Sequence, residues 1–138
     1  MRNREGEGSR WFIQAEHDLR AARYNREGGS HALACFQAQQ AGEKSLKAFL
    51  FARGERVVLG HSIAELGQLC ATHEPNFKKL VVKVGKLDRF YIPTRYPSGL
   101  PGGVPAEVYD ESDSDNAIAM ASETVEFVRE RLEVSHEG

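Results

Sequence analysis

The stretch HALACFQAQQAGEKSLKAFLFAR, residues 31–53, runs without proline to a stop at Gly54, and no other feature constrains the fold as strongly. It predicts a long helix over about residues 30–53. Within it Ala34, Ala38, Ala41, Ser45, Ala48 and Ala52 recur at alternating steps of four and three, a heptad seam made only of small side chains. A second helix can approach such a seam unusually closely, whether it comes from the same chain or from another copy. Cys35, Leu46 and Phe49 supply bulk beside the seam. Gln37, Gln40, Lys44 and Lys47 fall on a polar face, with Glu43 and Lys47 spaced for an i,i+4 ion pair.

Four more helical segments surround this one. Trp11, Ala15, Leu19 and Ala22 share a stripe, which predicts a first helix over about 10–25 with Ser9 available as its cap. Ser62 and Glu65 form a capping box before Leu66 and Leu69, which places a third helix at about 62–72. Pro75 suits the first turn of a fourth, ending near Phe90, whose Lys78, Lys79, Lys83, Lys86 and Arg89 make it locally basic. Ala117, Met120, Ala121, Thr124, Val125, Val128 and Leu132 line a fifth, over about 114–133, capped by Ser112 or Asp113. The expected fold is therefore all-α, an antiparallel up-and-down bundle of about five helices with one long ordered loop at about 91–111. Residues 10–133 form the domain, and 1–9 and 134–138 are expected to be flexible.

A formal net charge of −2 excludes the global basic field of a general nucleic-acid binder, so a polyanion site has to be local. Cys35 and Cys70 lack zinc-type spacing and read as buried free thiols of a cytoplasmic protein. The acidic run Asp110–Asp115 suits helix capping better than calcium. No apolar run is long enough to cross a membrane, and no metal or cofactor is expected.

Residues 91–97, YIPTRYP, interrupt the helical pattern with two prolines. Proline fixes φ and pushes the preceding residue away from the α region, so Ile92 and Tyr96 are expected to be extended in a semi-rigid strap. Arg95 offers a guanidinium fork suited to phosphate or carboxylate. Tyr91 and Tyr96 offer ring faces to a base, and Lys44 or Lys47 adds charge if the strap folds over that face of the second helix. The alternative is structural: Arg95 bolts the strap to the bundle through Glu43 or Asp88.

ACFQAQQAGEKSLKAFL, then GHSIAEL, then LDRFYIPTRYP, then an amphipathic C-terminal helix together resemble the HEPN family, across roughly residues 10–133. The resemblance implies a helical bundle that dimerises through a helical face and carries a groove associated with nucleotide or RNA binding. It also implies a minimal nucleotidyltransferase as partner. Arg95 is similar to the arginine of the RYP motif of the family's non-nuclease branch. The ribonuclease branch has an arginine followed after four to six residues by a histidine near the start of a late helix. Here Arg10 with His17, Arg26 with His31, Arg56 with His61, and Arg129 or Arg131 with His136 fit that spacing. Chance alone accounts for much of this, and SDSDNAIAMAS, at the late-helix position, has neither residue. Arg56 and His61 are the pair to weigh, since His61 precedes a capped helix N-terminus that favours an anion.

The expected function is thus a noncatalytic module that binds a nucleotide or another phosphate-bearing ligand through Arg95, Tyr96, Tyr91, Lys44, Lys47 and His61, as a homodimer through the seam or the apolar faces beside it. The alternatives are a metal-independent ribonuclease toxin of a toxin–antitoxin pair, using Arg56 and His61, and a purely structural dimerisation domain.

Overall fold

The computed structural model describes residues 3–137, with the side chains of residues 6–133. Six α-helices follow in order: α1 Asn3–Glu27, α2 His31–Ala52, α3 Ile63–Ala71, α4 Phe77–Val84, α5 Pro105–Val108 and α6 Glu111–Glu137. No strand occurs among the described residues, and none of their helices is long and apolar enough to cross a membrane.

α2 is the axis. Ala34, Ala38, Ala41, Ser45 and Ala48 of the seam are all fully buried, and the close approach they permit is taken up inside the chain. A Cβ on Gly8 of α1 would stand 2.8 Å from the Ala48 carbonyl oxygen and 3.2 Å from Ala52 Cβ. The seam is therefore not a free dimer surface. Trp11 stacks on Phe51, Lys44 pairs with Asp18, and Asn25 donates to Gln37, so α1 runs antiparallel to α2 along its length.

The 3–27 span of α1 begins well before residue 10, because packing against the late turns of α2 supports residues such as Gly8 that have poor helix propensity. α2 stops in a Schellman arrangement: Gly54 has φ +102°, and the Glu55 amide donates to the Leu50 carbonyl. The segment that follows carries the chain back along α2, so that Ile63 starts α3 beside Gly42. A Cβ on Gly42 would lie 3.2 Å from Ile63 Cδ1 and 3.0 Å from Leu87 Cδ1, and only glycine leaves room for both.

α3 and α4 form a short hairpin with Gly67 against Val81. The fourth helical segment does reach Phe90, but from Gly85 onward it tightens into a 3₁₀ turn. The loop expected at 91–111 holds a 3₁₀ turn at Pro97–Gly99 and the single-turn helix α5. α6 starts about three residues earlier than expected because Asp110 and Asp113 cap it reciprocally, each carboxylate accepting the other's backbone N–H. It runs antiparallel to α1, with Arg26 bound to Glu111 and Asp115 and Arg129 bound to Glu16. The core joins Leu19, Leu46, Phe49, Leu50, Ile63, Leu66, Phe77, Leu80, Leu87, Val125 and Val128.

Candidate functional site

The strap is a turn. The Ile92 carbonyl accepts from the amides of Arg95 and Tyr96, with Pro93 at the second position that a proline ring preorganises. Tyr96 itself is extended, as its following proline requires, at φ −127° and ψ 131°. Buried Thr94 anchors the turn through a hydroxyl bond to the Phe90 carbonyl, and Gly99 packs directly on Pro93. This geometry pushes Arg95 outward. Its Nε donates to the Tyr91 carbonyl at 3.1 Å, and its Cζ lies 4.5 Å from the Phe36 ring centre, 4.8 Å from that of Tyr91 and 5.0 Å from that of Tyr96. No carboxylate lies within ion-pair distance among the described residues, and the residue is exposed.

The bolt to Glu43 or Asp88 is thus corrected: both carboxylates are committed elsewhere. Glu43, with its side chain 4% exposed, accepts from the Lys47 ammonium at 3.1 Å and His61 Nδ1 at 3.0 Å on one oxygen, and from Gln40 and Gln39 on the other. Lys47 is 7% exposed, so the expected i,i+4 pair exists but is buried, with the ammonium also over Trp11. The ammonium is held inward, away from any surface groove. His61 keeps 56% of its side chain in solvent and stacks on Tyr91, with centroids 4.9 Å apart and planes at 20°. Tyr91 is therefore the shared platform of His61 and Arg95.

Asp88 joins the 3₁₀ turn to α3. It accepts from Ser62 Oγ at 2.8 Å and from the backbone amides of Ile63 and Ala64, while Ser62 Oγ caps the Glu65 amide. A carboxylate at a helix N-terminus also meets the positive end of the dipole. Asp88→Ala leaves these donors without their partner and is expected to cost about 1–3 kcal/mol. A thermal melt followed by circular dichroism checks this; an unchanged midpoint would mean that solvent caps α3 equally well.

The structure brings Arg95, Tyr91, Tyr96 and His61 together, with Lys47 behind them through Glu43. It does not bring Lys44, which pairs with Asp18 at 2.7 Å on the α1 side. Arg56 is on the segment before α3 and makes no hydrogen bond to His61. Of the other arginine and histidine pairs, Arg10 bonds Glu7 while His17 meets Arg20, and Arg26 bonds Glu111 and Asp115 while His31 meets Ser114. Arg129 and Arg131 are tied to Glu16 and Glu74, and the His136 side chain lies outside those described. Both cysteines are buried and free. Burial and the nearby Asp113 and Asp110 charges push the Cys35 thiol up to about 12, and burial raises Cys70 too, so neither is a nucleophile.

Sequence reasoning missed Phe36 as part of the arginine cage and Glu43 as the orienting carboxylate of His61. A signal existed: Phe36, Gln40, Glu43 and Lys47 recur at steps of four, three and four beside the small seam. A polar stripe flanking a seam that must be buried has to find partners inside the fold.

A small all-α bundle with an exposed arginine held by aromatic rings beside a carboxylate-oriented histidine is the class of protein that the fold and site define. The HEPN domain model matches residues 9–131, and the chain belongs to the HEPN domain family. Among solved structures, TT1696 from Thermus thermophilus is 40% identical with a TM-score of 0.80, over 89% of this chain and 96% of that one. ST0689, described as an archaeal HEPN homologue, is 37% identical with a TM-score of 0.75, over 91% of this chain and 97% of that one. No protein of curated function matches.

Proposed function

We infer that this HEPN protein is a noncatalytic binding module that takes the phosphate of a nucleotide on Arg95. One observation carries the reading: an exposed guanidinium, held among Phe36, Tyr91 and Tyr96, with no carboxylate of the described residues within ion-pair distance. Stacking fixes the plane of the fork while its N–H edges remain open to a phosphate, so little side-chain entropy is lost on binding. Tyr96, half exposed, offers a face for a base. In the cytoplasm the module works beside a minimal nucleotidyltransferase and as a homodimer, the associations that the family resemblance implies. With the small-residue seam internal, that dimer uses outer faces of the bundle.

A second reading is favoured by the buried carboxylate behind His61, since an imidazole so oriented also suits general base work. In that case the chain is a metal-independent ribonuclease toxin, with Arg56 or Arg95 as the phosphate contact. One pair of assays separates the two. Labelled ATP and GTP are expected to bind at low salt and to be released as salt rises, while an RNA pool incubated with a chelator stays intact. Folded protein that binds neither nucleotide would refute the first reading, and cleavage lost on His61→Ala would establish the second.

A further inference from the structure

α4 and α6 lie side by side and antiparallel, with Glu74 just ahead of α4 bound to Arg131, Phe77 against Phe127 and Lys83 against Glu123. Their outer rows carry opposite charge. On α4 and the turn that follows it, Lys78, Lys79, Lys83, Lys86 and Arg89 are exposed, and among the described residues only Lys83 of these reaches a carboxylate, Glu123 at 3.3 Å. On α6, Glu123, Glu126, Glu130 and Glu133 are exposed at steps of three, four and three. Arg129 and Arg131 touch that row at Glu126 and Glu130 but are shared with Glu16 and Glu74. Each row is unfavourable in a lone chain. Lys78 and Lys79 stand in the first turn of α4, at the positive end of its dipole and with no acidic residue beside them. Lys79 with Lys83, and Glu126 with Glu130, are like-charge i,i+4 pairs. In the midst of the basic row Val82 is 83% exposed, more than any other large apolar side chain among the described residues. Local rules broken on two neighbouring helices mark a surface that something else completes.

We propose that this face docks on a second copy of the chain, α4 of each protomer lying on α6 of the other. A two-fold axis parallel to the helices makes that match twice, so the face is its own complement. The inference rests on the homodimer reading above and assigns it a surface. A nucleic-acid strand fits less well: the glutamate row runs beside the lysines and repels phosphates, and Val82 is left in water. Two such helices, each about 20 Å long and about 10 Å wide, bury on the order of 1,000 Å² between two copies, the range of weak reversible contacts. A micromolar, salt-sensitive dimer is therefore expected.

The test is analytical ultracentrifugation of the full chain across the micromolar range. Raising salt from about 50 to about 500 mM is expected to weaken the dimer roughly tenfold or more. Two triple variants are each expected to sediment as folded monomers: Lys79→Glu with Lys83→Glu and Lys86→Glu, and Glu123→Lys with Glu126→Lys and Glu130→Lys. Their equimolar mixture is expected to restore a dimer, because every row then meets its opposite across the axis. Val82→Ser, at a position too exposed to affect folding, is expected to loosen the wild-type dimer roughly five- to tenfold. Circular dichroism melts confirm folding, and where a triple variant does not fold, the Val82→Ser and salt arms decide. A dimer unmoved by salt and by Val82→Ser, or folded triple variants whose mixture stays monomeric, overturns the surface and leaves the homodimer to another face. A wild-type chain that is monomeric throughout overturns both this proposal and the homodimer reading. If that monomer binds a single-stranded RNA oligonucleotide and the lysine variant does not, the basic row belongs to nucleic acid instead.

Discussion

Glu43→Ala is expected to destabilise the protein by about 3–5 kcal/mol, because it strands a buried ammonium instead of merely removing a contact. Lys47 has 7% of its side chain exposed and Glu43 has 4%, so both charges are largely removed from water. Among the described residues, removing the carboxylate leaves Lys47 with only the Trp11 ring face, and frees His61 and Gln40 from the group that orients them. A thermal midpoint lower by about 10–20 °C is the expected measurement for a domain of this size. The double variant Glu43→Leu, Lys47→Met is expected to recover most of that loss, since desolvating an ion pair offsets much of its attraction. A single variant that melts within about 1 kcal/mol of wild type would show that the pair is hydrated and that the burial argument fails.

Arg95→Ala is expected to act on the other axis, weakening nucleotide binding roughly ten- to hundredfold while changing stability by less than about 1 kcal/mol. Among the described residues the guanidinium makes no ion pair: its hydrogen bond goes to the Tyr91 carbonyl, and it lies against half-buried Phe36 and Tyr91 and exposed Tyr96 at the edge of the fold. Arg95→Lys is expected to rescue little, because a tetrahedral ammonium neither lies flat between rings nor offers a fork. Calorimetry with ATP alongside a melt reads both quantities. A large loss of stability with unaltered affinity would make the strap a structural clasp.

Much of the fold was legible because it is local. The unbroken run from His31 to Arg53, the Ser62 capping box and the positive-φ Gly54 each name a helix boundary that the structure keeps within a residue or two. The start of α1 was not legible, since residues such as Gly8 become helical only against Ala48 and Ala52. Nor could spacing decide which helix fills the small-residue seam; that depends on the chain turning back at Gly29, where φ is +86°. At the site, Arg95, Tyr91 and Tyr96 were readable from the two prolines around them. Phe36 and Glu43 were hidden because their partners lie far along the chain, Arg95 of the strap for Phe36 and His61 before α3 for Glu43, and contacts of that range carry no periodic signature. Arithmetic on arginine and histidine spacing pointed to Arg56 for the same reason: it counts along the chain, whereas the arginine that shares Tyr91 with His61 lies thirty-four residues further on.

The most direct test is to follow the arginine Nε–H, histidine ring nitrogen and lysine Nζ resonances of the labelled protein as ATP is added. Arg95 Nε and the ring nitrogens of His61, which shares the Tyr91 ring with it, are expected to shift together, saturating at one ligand concentration, while the resonances of Lys78, Lys79, Lys83 and Lys86, on α4 and the turn that follows it, stay still. Shifts confined to those lysines, with Arg95 and His61 unmoved, would contradict it and make the aromatic clasp around Arg95 an element of architecture alone.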